Sequence, residues 1–140
     1  MSSKLSERLE VIELKAHAAE TADTTGTGVA VSGEGPHRAM GIVNVSAVGG
    51  DADETYSITI EGSNTSISAG FVLAHASGEP TSLPFTQPNA VAATPVKVGL
   101  NPFKWYRYVN DVGGTTPSIT YDVEVVLELS KLPAATQLAT

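Results

Sequence analysis

The chain carries three imidazoles, His17, His37 and His75, and no cysteine. The histidines are far apart and match neither an HxH nor an HExxH ligand spacing, so they read as separate surface residues rather than metal ligands. Without thiols there is no disulfide framework, no thiol redox chemistry and no thiolate metal site. Asp51-Ala52-Asp53-Glu54 offers carboxylate oxygens of the kind calcium takes, but not the ligand spacing of a dedicated calcium loop. It reads as a solvated turn between strands, with calcium as the alternative. Thr25-Gly26-Thr27-Gly28 has the glycines of a phosphate cradle, yet Val29-Ala30-Val31 follows as a strand. A phosphate cradle needs a helix there, so that orphan N–H groups point at the anion. No GxSxG elbow occurs, and no Ser or Thr has a histidine near it in sequence in a recognisable arrangement. Nothing marks a pair of catalytic carboxylates. These readings predict a protein without a catalytic centre or cofactor, one that works by binding.

Phe103, Trp105, Tyr106 and Tyr108 hold much of the aromatic content. In a strand they fall on alternating faces. The expectation is Trp105 in the core, with Tyr106 and Tyr108 on the other face as candidate interface residues. Exposed aromatics stack on sugars or anchor protein interfaces. The plainer alternative is a well-packed central strand.

These side chains depend on strands for their positions. Ile119, Tyr121, Val123, Val125 and Leu127 alternate with Thr120, Asp122, Glu124, Val126 and Glu128, a period of two that marks a half-buried strand. Tyr56, Ile58 and Ile60 alternate with Ser57, Thr59 and Glu61, and Trp105 to Asn110 does the same. Further strands are predicted at Gly28–Ser32, Arg38–Val48, Ala69–Ala74 and Pro95–Gly99. Turn signals separate them, among them Gly33-Glu34-Gly35-Pro36, Gly62-Ser63-Asn64, Ser77-Gly78-Glu79-Pro80 and Gly113-Gly114-Thr115. Short strands with turns at this spacing predict an all-β, single-domain antiparallel β-sandwich. Pro80, Pro84 and Pro88 make the stretch from Pro80 to Ala93 too proline-rich for a central strand.

The N-terminus supports two readings. Leu5, Leu9, Ile12 and Ala16 lie at helical spacing, while Ile12, Leu14, Ala16 and Ala18 alternate as a strand would. The favoured division is an arm over residues 1–9, extended or a short helix, then a strand from Glu10 to Glu20. The sandwich domain spans 10–132, and 133–140 forms a loose tail. Leu5, Leu9 and Val11 have no obvious place in a sandwich core, which makes them candidate interface residues, with a frayed terminus as the alternative.

A length of 140 residues suits one domain that needs no staples. The net charge is −7, with only eight Lys and Arg. Phosphate recognition needs clustered cations, so neither nucleic acid nor an anionic membrane is an expected partner. No apolar run reaches the roughly 18–20 residues of a spanning helix. Met1-Ser2-Ser3-Lys4 leads into charged residues instead of an apolar signal core, predicting synthesis in a cytoplasm.

The segment from Trp105 to Tyr121 joins an RYV strand (Arg107-Tyr108-Val109), a GGT-x-P turn (Gly113 to Pro117) and an alternating final strand. It resembles a segment of small virion proteins of tailed bacteriophages, as does Gly41–Val48 followed by an acidic turn and Tyr56–Glu61. The likeness spans about Val29 to Leu129 and is greatest to capsid decoration (cement) proteins. The resemblance implies a jelly-roll-like sandwich that assembles as a homo-oligomer, a homotrimer first, on the capsid exterior. There it would stabilise the shell by bridging subunits of the major capsid protein, after synthesis in the bacterial cytoplasm. It assigns no residue a role. A carbohydrate- or host-surface-binding module using Tyr106, Tyr108 and the Pro80–Ala93 loop is the alternative, and a neck or tail structural protein is a third.

Overall fold

The computed structural model describes residues 9–32, 36–49, 53–86 and 95–129. Ten strands follow one another: β1 Leu9–Glu20, β2 Thr24–Thr25, β3 Val29–Ala30, β4 Pro36–Gly49, β5 Thr55–Ser63, β6 Val72–Leu73, β7 Leu83–Thr86, β8 Val96–Leu100, β9 Trp105–Gly113 and β10 Ser118–Leu129. They form two antiparallel sheets in the orders β1-β10-β4-β8 and β2-β9-β5-β6, with β3 also on β9 and β7 also on β5. The fold is the predicted all-β sandwich. Counting β2 with β3 and β6 with β7 as interrupted strands, the first pairs with the last, the second with the one before it, and so on inward. That nested pairing, split over two sheets, is a jelly roll.

Alternation along the strands fills the space between the sheets. Ile119, Tyr121, Val123, Val125 and Leu127 of β10 are all fully buried and meet Tyr56, Ile58 and Ile60 of β5 and Tyr106 and Tyr108 of β9. Facing sheets stand about 10 Å apart, so each large side chain must interdigitate with a smaller one. Gly62 shows this. It lies opposite Tyr106 across β5 and β9, and a methyl group there would fall inside the Phe103 ring. Phe103 meets Tyr106 edge to face at 6.1 Å. The Gly62→Ala variant is expected to lose about 1–3 kcal/mol through overpacking, read as a lower urea midpoint.

The strand predicted at Ala69–Ala74 shortens to Val72–Leu73, while the proline-rich stretch is, as expected, no central strand. The first strand begins at Leu9, so the one described residue of the predicted arm belongs to the sheet; residues 1–8, Leu5 included, lie outside the described residues, as do 130–140 and hence the predicted tail. Leu83–Thr86 forms an edge strand on β5, with Pro84 opposite Ser57. An edge tolerates a proline because one row of its backbone groups needs no partner.

The acidic turn serves the β9–β10 connection. Glu54 Oε2 accepts hydrogen bonds from the N–H groups of Thr115 (2.9 Å) and Thr116 (2.8 Å), and Thr115 Oγ1 donates to Asp53 at 2.9 Å. Gly114 sits at φ +104°, a conformation that glycine adopts without a Cβ penalty. Asp53 and Glu54 thus pin the GGT-x-P turn, and Asp51 lies outside the described residues.

Candidate apolar docking face

The outer face of the β1-β10-β4-β8 sheet gathers apolar side chains that no element among the described residues covers. Register places Val11 opposite Val126, Val126 opposite Met40, and Met40 opposite Gly99, a row across all four strands. Leu9 flanks this row on β1 and Ile42 on β4. Leu9 is 68% exposed, Val11 59% and Met40 42%. Leu9, Met40, Ile42 and Val126 line a shallow depression of about 360 Å³ together with Arg38, Ala39, Lys97 and Glu128. Single exposed apolar residues are ordinary, but a contiguous set with a polar rim marks an interaction surface.

The rim has its own peculiarity. Glu13 and Glu124 stand directly opposite each other on β1 and β10. Like charges at such positions repel and destabilise the pair of strands. Among the described residues neither carboxylate forms an ion pair, whereas Glu128 pairs with Arg38 at 3.1 Å. The face therefore has unbalanced negative charge beside an apolar row.

The β1 edge of the same sheet is closed to a partner strand. Among the described residues β1 pairs only with β10, and it is bulged at Leu14 and again at Ala16-His17. The bulges turn Lys15 inward, where Nζ donates to the carbonyls of Ala16 (3.0 Å), Ala18 (2.8 Å) and Tyr121 (2.9 Å) and lies 4.2 Å over the Tyr121 ring. Burial pulls the Lys15 pKa below its ordinary value, against the opposing pull of Glu20 and Asp122. Bulges and an inward charge are devices that block edge-to-edge pairing. What β1 offers a partner is its outward face.

Of the sequence-predicted interface residues, Leu9 and Val11 come together here. Tyr106 and Tyr108 do not: they are 0% and 7% exposed, and the half-buried Trp105 takes the other side of β9. The expected faces are reversed, because the inward tyrosines find partners for their hydroxyls. Tyr106 donates to the Asn101 carbonyl at 2.8 Å and accepts from the Phe103 N–H at 3.0 Å. Burial pushes its pKa to about 12, with the Phe103 contact pulling the other way. Tyr108 donates to Glu20 at 2.6 Å, and burial followed by that carboxylate raises its pKa. Both stay protonated near neutral pH and are tied into the core.

Of the histidines expected at the surface, His17 is there, His75 is not, and the side chain of His37 lies outside the described residues. His75 is buried, with Nδ1 2.6 Å from the Pro80 carbonyl and Nε2 accepting from the Ile60 N–H at 3.1 Å. His17 is exposed but engaged with Asp122 and Ser46. Met40, Ile42 and Val126 were not singled out as interface residues in the sequence. Their signal was present in Val126, the one apolar member of the outward set on β10.

No protein-family model matches the chain, and no curated protein matches it either. Among solved structures, a chain in the structure of infectious bursal disease virus, Gx strain, is similar with a TM-score of 0.42 and 10% sequence identity. The likeness covers 88% of this chain and 32% of that one, so this chain spans about a third of its length.

Proposed function

We propose that the protein is a structural component of a virus particle, most like a capsid decoration subunit of a tailed bacteriophage. It docks on the outside of the shell through the outer face of the β1-β10-β4-β8 sheet. The observation that carries this reading is the row Val11, Val126, Met40, which nothing among the described residues covers, beside the Glu13–Glu124 pair, which has no ion-pair partner among them. Its complement on the major capsid protein is an apolar patch rimmed by Lys or Arg. Covering a large apolar side chain contributes on the order of 1.5–3 kcal/mol before the costs of association. One such face gives modest affinity. Several faces carried on one homotrimer raise avidity by roughly 10²–10⁴, and a ligand that binds only the assembled shell stabilises it by mass action. The strand–turn–strand likeness of Trp105–Tyr121 to decoration proteins supports the same setting. Jelly rolls also occur in lectins, but burial of Tyr106 and Tyr108 removes the aromatic platform on which a sugar-binding reading depended.

Copy number per particle, measured by quantitative gel, tests the assignment. Hundreds of copies are expected for shell decoration. About a dozen would place the protein in a neck or tail, and none would remove it from the virion.

A further inference from the structure

Three polar side chains on the same outer face, from three adjacent strands, meet in an order with chemical consequences. His17 Nδ1 lies 2.7 Å from Asp122 Oδ2, and His17 Nε2 lies 2.8 Å from Ser46 Oγ. Asn44 Nδ2 donates to the other Asp122 oxygen at 2.8 Å. One tautomer satisfies every contact: the Nδ1 proton goes to the carboxylate, and Nε2 accepts from the serine hydroxyl. A serine, a base and a carboxylate that orients the base are the parts of an activated nucleophile.

The backbone is irregular on both sides of Asp122. On β1, Lys15 pairs with Val123 and Ala18 with Tyr121, so Ala16 and His17 together face Asp122. On β4, Ala47 pairs with Thr120 and Val45 with Tyr121, leaving Ser46 as an extra residue. Two bulges, on the two neighbours of one strand, bring His17 and Ser46 to the same carboxylate. Bulges re-aim side chains in this way and are over-represented beside active sites. Ser46 and His17 are both exposed, so a substrate reaches them without any opening of the fold.

We propose that Ser46 and His17 are catalytic residues, positioned by Asp122 and Asn44, that cleave small activated carboxylic esters. Ser46 Oγ attacks the ester carbonyl while its proton passes to His17 Nε2. The Oγ–C bond forms, the ester C–O bond breaks, and the proton on Nε2 goes to the departing alkoxide. Water, deprotonated by the same nitrogen, then cleaves the acyl-serine and restores the hydroxyl. An open sheet face leaves the developing oxyanion to solvent, and an oxyanion donor is worth about 10²–10³ in rate. The activity is therefore confined to esters with good leaving groups. This inference departs from the expectation of a non-catalytic protein, and it does not depend on the docking role.

The test uses the full chain with two probes, a fluorophosphonate read by peptide mass spectrometry and p-nitrophenyl acetate followed in steady state. The expected result is a single label on Ser46. Ester turnover should vanish in Ser46→Ala and fall by about 10²-fold in His17→Ala, the size of a general-base contribution. Asp122→Asn should lower kcat while its folded fraction, measured by circular dichroism melts, stays that of the wild type; a variant that merely lost fold would lose kcat in step with that fraction, and the same melts verify the other variants. No label on Ser46, or labelling and turnover that survive His17→Ala, would overturn the proposal and leave the cluster as a surface network that ties three strands together.

Discussion

Replacing Glu20 with alanine is expected to lower the unfolding free energy by about 3 kcal/mol, roughly one for each hydrogen bond whose donor is left without its acceptor. Glu20 ends β1 at the open side of the sandwich and reaches across to the second sheet. Its carboxylate accepts from Tyr121 Oη at 2.5 Å, Tyr108 Oη at 2.6 Å and Asn110 Nδ2 at 3.0 Å. All three donors are buried, and the Oδ1 atom of Asn110 already has no partner among the described residues. The rings of Tyr108 and Tyr121 meet edge to face at 6.1 Å, so loss of the carboxylate loosens a contact that spans both sheets. In a domain of this size the melting temperature should fall by on the order of 10 °C. Tyr121→Phe removes one donor and keeps the ring, and should cost about 1 kcal/mol.

The same carboxylate makes stability depend on pH. Burial pushes the Glu20 pKa up, but the hydrogen bonds from Tyr108, Tyr121 and Asn110, with the charge of Lys15, outweigh it and hold the pKa below its ordinary 4.5. A depressed folded-state pKa means that the ionised form favours the native state. Its contribution is fully present above the unfolded value and is lost as pH falls through the folded one. Urea midpoints measured from pH 7 downward should therefore drop below about pH 4.5 in the wild type. In Glu20→Gln that part of the slope should disappear. An unchanged slope would mean that Glu20 has no part in it.

The second large effect concerns the docking face. The double variant Met40→Glu, Val126→Glu places two carboxylates in the apolar row, beside Glu13 and Glu124. Binding to purified shells should weaken by about 10²-fold or more, the size of losing two central anchors of about 1.4 kcal/mol or more each. Melting temperature should fall by only a few degrees: both side chains point away from the core, and the loss comes from the two carboxylates that now stand opposite each other across β4 and β10. Reversing the rim with Glu13→Lys should change association rate and salt dependence more than final affinity.

Much of the fold was legible because an alternation of two survives in any half-buried strand. β10 and β5 show it from end to end, and their inward residues are those that the spacing marked. β9 carries large aromatics on both faces, so size could not tell which side was in. The answer lay in Glu20 and Asn101, which supply partners for tyrosine hydroxyls and are distant from Tyr108 or outside its strand. Nor did spacing expose the meeting of His17, Ser46 and Asp122. It depends on two bulges, and a bulge shifts register without changing composition. The docking face was half legible: Leu9 and Val11 stood out as apolar residues without a core position. Met40 and Ile42 were hidden within a strand that is apolar on both faces.

Oxidative footprinting of Met40 tests the central claim most directly, because its exposed thioether reacts readily with hydroxyl radicals and reports whether this face is covered. On intact particles Met40 should be oxidised several-fold more slowly than in the isolated protein, while Val72 and Leu73 at the edge of the other sheet should keep their reactivity. Equal Met40 oxidation in the two states would show that the outer face of the β1-β10-β4-β8 sheet is not where this protein docks.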